Sequence, residues 1–160
     1  MPEKRTHRKR GKSGRRSARP KIFVSHSSVD AWVALQIAGH IQSTGAECFL
    51  DVIDAEVGED FEERIRDAME DCLELLVLFT PSAIKSRYVW VEIGAAWGQR
   101  KRIVGVLYGV TVKDIQNNPA IPLMLKRAIL VEINDLDRFF KELRRRVKRA
   151  KKTHGSHRKV

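Results

Sequence analysis

Seven residues from Leu73 to Phe79, Leu-Glu-Leu-Leu-Val-Leu-Phe, are apolar except for Glu74. The run is far too short to cross a bilayer. It also lacks the alternation that would leave one face in water. It therefore reads as a strand buried on both faces, and such strands belong to parallel sheets covered by helices on each side. Four other short runs rich in β-branched and aromatic residues fit the same role: Lys21–Val24, Cys48–Leu50, Ile103–Val110 and Ala128–Ile133. Helix-spaced segments separate them, which implies parallel pairing through right-handed crossovers. The expected fold class is α/β, a small doubly wound domain around a five-stranded parallel sheet.

The intervening helices have their own signatures. Val33, Ile37 and Ile41 form an apolar stripe that stops at Gly45, a helix-ending residue, while the hydroxyls of Ser25 to Ser28 are natural N-caps for that helix. Phe61, Ile65, Met69 and Cys72 mark a second helix. Leu136, Phe139, Phe140, Leu143 and Val147 outline a last amphipathic helix whose outer face is nearly all Arg and Lys. Pro119 and Pro122 mark a loop-rich stretch with at most a short helix.

Charge divides the chain. The total is +11, but residues 1–21 carry a surplus of nine positive charges and residues 138–160 a surplus of ten, leaving −8 for residues 22–137. Residues 1–20 hold too few apolar side chains to offset their ordering entropy and are expected to be disordered, as are residues 151–160. Residues 21–150 are the expected domain. The basic ends are suited to polyanions such as nucleic acid, polyphosphate or an acidic membrane surface, or serve only as solvated charge; with no aromatics in the tails, any binding is expected to be weak and independent of sequence. Cys48 and Cys72 sit among apolar neighbours and read as core residues, not a disulfide framework. No apolar segment follows the basic start and none is long enough to span a membrane, so the expected location is cytoplasmic.

One local pattern carries chemistry. In Ser86-Arg87-Tyr88-Val89-Trp90-Val91-Glu92, just beyond the buried strand, Tyr88 and Glu92 lie four apart and share a helical face. In open α/β sheets, ligands bind beyond the carboxyl ends of the strands. A carboxylate beside an aromatic wall suits a ligand that carries or develops positive charge. The plainer alternative is a packing Tyr88 and a solvated Glu92. Ser25, His26, Ser27 and Ser28 end the first strand, where hydroxyls and helix-terminal amides meet phosphate or ribose; capping and loop hydrogen bonding are the plainer roles. Asp51 closes the second strand and is also an ordinary turn former. A phosphoacceptor role for Asp51 would need an acidic cluster after the first strand to hold magnesium, and Ser25-His26-Ser27-Ser28 stands there instead.

Taken in order, these residues resemble a Toll/interleukin-receptor (TIR) domain over residues 21–150. Ile22-Phe23-Val24-Ser25-His26-Ser27-Ser28 with Asp30 is similar to the family's opening motif. Gly45, Phe49, Asp51, Glu56, Gly58 and then Phe61 to Ala68 resemble its second strand, BB loop and following helix. Ser86-x-Tyr88-Val89-x-x-Glu92-Ile93 resembles its third motif, with Tyr88 where the family often has Trp. The resemblance implies a flavodoxin-like strand order and two kinds of function. Some members hydrolyse or cyclise NAD with the glutamate corresponding to Glu92; others are non-catalytic scaffolds that signal by self-association. It also implies that residues 52–60, with Gly58, pack on a neighbouring protomer or another TIR domain. The enzyme reading makes Glu92 catalytic, places Tyr88, Ser25 to Ser28, Asp51 and Gly58 around the substrate, and needs no metal or resident cofactor, since NAD is the substrate. It casts the chain in signalling or immune defence.

Overall fold

The computed structural model describes residues 19–50, 60–119, 121–123, 125 and 128–156, with only the backbone described for 60–62 and 153–156. The strands are β1 (Lys21–Ser25), β2 (Glu47–Leu50), β3 (Glu74–Phe79), β4 (Arg102–Leu107) and β5 (Ile129–Glu132). The helices are α1 (Ala31–Ser43), α2 (Asp60–Asp71), α3 (Arg87–Gly98), α4 (Val112–Asn117) and α5 (Leu136–Ser156). All strand pairs are parallel, in the order β2-β1-β3-β4-β5. This is the flavodoxin-like order, in which the chain reverses its direction of travel between β1 and β3.

β3 lies at the centre and every residue in it is buried. Its side chains alternate between two cores. Leu76 and Leu78 face a cluster completed by Ile37, Ile41, Phe139, Phe140, Leu143 and Val147 of α1 and α5. Leu75, Val77 and Phe79 face a second cluster with Met69, Val89, Ile93, Ala96 and Ile115 from α2, α3 and α4. The continuous apolar run thus reflects two covered faces, as a parallel sheet requires. Gly105 of β4 serves this packing: a Cβ there would lie 2.6 Å from the Phe79 ring and 2.8 Å from Leu130.

Several boundaries differ from the sequence expectation. Leu73 is half exposed and precedes β3, its amide donating to the Lys21 carbonyl at 2.8 Å. β4 stops at Leu107, short of Val110, because Gly109 turns the chain with φ +71°. Gly45 does end α1, with φ +87° and its amide on the Gln42 carbonyl at 2.9 Å. The serines do not cap α1, however. A 3-10 turn, Ser28–Asp30, precedes it, and no side-chain cap forms at either junction. α5 continues to Ser156, so residues 151–156 are helical rather than part of a disordered tail.

The amino end of the sheet holds an ionic lock. Glu74 opens β3 and is fully buried, yet the Arg146 guanidinium donates to both its oxygens, at 2.8 and 3.0 Å. Arg102 lies 3.4 Å from Glu74 and donates to Glu142 at 3.0 Å. Two-pronged geometry satisfies both oxygens of this buried carboxyl group, and it pins α5 to the strand ends.

Candidate functional site at the carboxyl edge of the sheet

The opposite edge is polar. Ser25, His26 and Ser27 are all buried, at 0%, 4% and 6% exposure, whereas Ser28 is exposed. Ser25 ends β1 beside Val77 of β3. Its Oγ has no hydrogen-bond partner among the described residues. A buried hydroxyl left so is costly, and it is a natural contact for a polar ligand.

Asp30 and Thr80 tie this edge together. The Ser27 and Thr80 hydroxyls both donate to Asp30 Oδ2 at 2.6 Å. Thr80 Oγ1 in turn accepts from the Ala83 amide at 2.9 Å. The loop after β1 and the loop after β3 are thereby held in one geometry, and the second leads directly into α3. Ser86 caps α3 by accepting from the Val89 amide. The Trp90 indole donates to the Ile84 carbonyl at 2.9 Å, which fixes the rotation of the helix. Asp30 belongs to the motif read from sequence, but its bond to Thr80 spans 50 residues and leaves no local trace.

The buried stripe of α3 is Val89, Glu92, Ile93 and Ala96, and Glu92 is 1% exposed. A carboxylate is an expensive choice for an inward helical position, so packing alone does not account for it. Tyr88, one turn earlier, is half-buried. The solvated alternative for Glu92 is therefore not what the fold adopts. Asp51, Gly58 and the rest of the 52–59 connection lie outside the described residues. Three surface hollows, of about 630, 440 and 370 Å³, lie elsewhere: between β5 and α5, between α2 and α3, and beside α4. None is lined by Ser25, His26, Ser27, Ser28, Tyr88 or Glu92.

The cysteines are not nucleophiles. Burial pushes the Cys48 thiol up to about 12 and the Cys72 thiol to about 11, so neither forms thiolate near neutrality. Among the described residues no cluster of His, Cys, Asp or Glu could hold a metal ion, and no helix is long and apolar enough to cross a membrane.

The sequence pattern that defines the TIR domain matches residues 22–148, and the chain belongs to that family. Among curated proteins it is similar to a probable 2' cyclic ADP-D-ribose synthase from Brachypodium distachyon, at 29% identity over 124 residues. That match covers 76% of this chain and 54% of the relative, so the chain spans about half the length of that protein. In structure it is similar to the TIR domain of the Toll-related receptor TRR-2 from Hydra magnipapillata, with a TM-score of 0.58, 20% identity, and coverage of 77% of this chain and 97% of that one. It is also similar to the CMP N-glycosidase BcmB from Clostridium botulinum, with a TM-score of 0.51 and 13% identity, again covering 77% and 97%. A receptor module and an enzyme share this architecture, so the fold does not choose between them.

Proposed function

We propose that this TIR domain cleaves the bond between nicotinamide and ribose in NAD, with Glu92 as the catalytic carboxylate. The observation that carries the reading is a glutamate in the inward stripe of the helix that follows the central strand. The similarity to a probable cyclic ADP-ribose synthase supports it, at modest identity and over half of that protein.

The substrate explains why one carboxylate suffices. Hydrolysis of an ordinary glycoside needs a second carboxyl to protonate the departing oxygen. In NAD the leaving group is a pyridinium. As the carbon–nitrogen bond breaks, its electron pair returns to the ring and nicotinamide departs neutral. The positive charge moves to the ribose, where a fixed carboxylate stabilises it. Water attack at the ribose carbon then gives ADP-ribose and releases a proton. Attack by a hydroxyl of the substrate itself gives a cyclic isomer instead. Tyr88 is assigned to stacking on nicotinamide or ribose. Ser25, His26, Ser27 and Ser28 are assigned to the ribose and phosphates, with Asp51 and Gly58 completing the site. NAD is consumed as substrate, and no resident cofactor is required.

At 1% exposure Glu92 is out of a substrate's reach until its cover moves. Assembly is the proposed trigger, with residues 52–60 of one copy packing on another TIR domain. The rate should then rise more steeply than protein concentration. Concentrated protein incubated with NAD, followed by chromatographic separation of nicotinamide, ADP-ribose and cyclic isomers, tests the proposal. Nicotinamide release is expected, and intact NAD at every concentration would refute it.

A second reading has its own support. Val29, in the 3-10 turn before α1, and Trp32 and Leu35 of α1 are 75%, 72% and 54% exposed. Apolar patches of this kind mark association surfaces, and they suit a scaffold that signals by assembly without turnover. That reading predicts concentration-dependent oligomers and no nicotinamide.

A further inference from the structure

We propose that the outer face of α5 is a binding surface for the phosphate backbone of double-stranded nucleic acid. It lies on the folded domain itself and is separate from the site of NAD cleavage. α5 buries Leu136, Phe139, Phe140, Leu143 and Val147 against the sheet. Lys141, Arg145, Lys148 and Lys152 recur at intervals of four, three and four, so they form one row along the solvent side and all are exposed. Arg144 and Lys151 are exposed on the flank of that row. At about 1.5 Å rise per residue, the row places a cation every 4–6 Å over roughly 16 Å.

Internal pairing does not use these charges. Two exposed acids lie on the described part of α5: Asp137 in its first turn, one turn before Lys141, and Glu142, which is engaged by Arg102 and Arg146. Among the described residues, no carboxylate lies within ion-pair distance of Lys141, Arg145, Lys148 or Lys152. Like charges three and four apart weaken a helix by a few tenths of a kcal/mol per pair. The macrodipole favours cations only in the last turn, which leaves Lys141 and Arg145 unexplained. A face kept merely for solubility interleaves both signs. A row of one sign matches a polyanion.

The remaining features select a duplex. A helix that lies in a membrane surface needs a free apolar face, and the apolar stripe of α5 is already used in the core. The basic face has no aromatic residue on which unpaired bases could stack. What remains is contact with evenly spaced phosphates, independent of sequence and steep in salt.

The test uses the full chain and a fluorescent 20-base-pair DNA of random sequence, titrated between 50 and 200 mM salt. A variant combining Lys141→Gln, Arg145→Gln, Lys148→Gln and Lys152→Gln keeps residues of similar helix propensity, and circular dichroism confirms its fold. The plot of log affinity against log salt should become shallower by about 3 to 4 units, near 0.9 per lost contact. A charge-matched control with Arg8, Lys9, Arg10 and Arg15 changed to Gln should shift it far less. An equal shift in both variants would indicate net charge alone and overturn the proposal. So would an unchanged slope in the α5 variant, or tight binding to phosphatidylserine vesicles with none to the duplex.

Discussion

Among the described residues, two glutamates are almost fully withdrawn from solvent, and they sit in different surroundings. Glu74 opens β3 at the amino end of the sheet, with Arg146 paired to both its oxygens and Arg102 beside it. Its burial is explained by structure, because it locks α5 to the sheet. Glu92 lies on α3, the next α-helix in the chain after that strand, in a stripe otherwise made of Val89, Ile93 and Ala96. Glu74 is a carboxylate that holds the fold, and Glu92 is the one to which the proposal assigns chemistry. The first should matter to stability and little to chemistry, and the second the reverse.

The largest expected effect breaks the structural half of that comparison. Arg146→Met leaves Glu74 buried with its two-pronged partner gone, and removing one member of a buried pair costs about 3–5 kcal/mol. Chemical denaturation would measure it. Nicotinamide release per folded molecule should be unaffected, and a large loss of release without a loss of stability would blur the distinction. Gly105→Ala pushes a methyl group into the Phe79 ring and Leu130, and overpacking of this kind costs about 1–3 kcal/mol. A thermal melt should show it, since the Phe79 ring is fully buried.

Thr80→Val sharpens the functional half. It removes the hydroxyl that joins Asp30 to the approach of α3, a hydrogen bond to a carboxylate worth about 1.5–3 kcal/mol. Nicotinamide release should fall along with stability, because both loops at the carboxyl edge lose their shared anchor. Equal release by Thr80→Val and wild type would remove Asp30 and Thr80 from the site. The smallest effect is electrostatic. Hydrogen bonding from Arg102 holds the Glu142 carboxyl below its ordinary 4.5. A depressed carboxylate stabilises the fold above its unfolded value, and the contribution fades as pH falls through the folded one. Glu142 is half exposed, so solvent screens the effect. Glu142→Gln should melt slightly below wild type at pH 7, and the gap should close in acid.

Much of the architecture was legible in the sequence because it rests on local patterns. The run Leu73–Phe79 announced a strand covered on both faces, Gly45 the end of α1, and the apolar spacing from Leu136 to Val147 the inner face of α5. The features that escaped depend on distant partners. Glu74 looks like an interruption of a strand until Arg146, 72 residues away, is folded onto it. Thr80 looks like a turn residue until Asp30 accepts its hydroxyl. The length of α5 escaped because Lys151 to Ser156 carry no apolar signal, although helix continuation needs none once the preceding turns are anchored. Ser27 and Ser28 misled for a related reason: hydroxyls before a helix usually cap it, whereas here Ser27 is taken by Asp30. For the site, spacing correctly put Tyr88 and Glu92 one turn apart on a helix, while the degree to which Glu92 is enclosed emerged only from the packing of α3.

The account's central claim is tested most directly by Glu92→Gln, assayed for nicotinamide release from NAD and for its unfolding midpoint on the same preparation. The change preserves shape and replaces the carboxyl group with an amide. Release should fall by about 10²–10³, with no loss in the midpoint. Undiminished release from a folded Glu92→Gln protein would contradict the assignment.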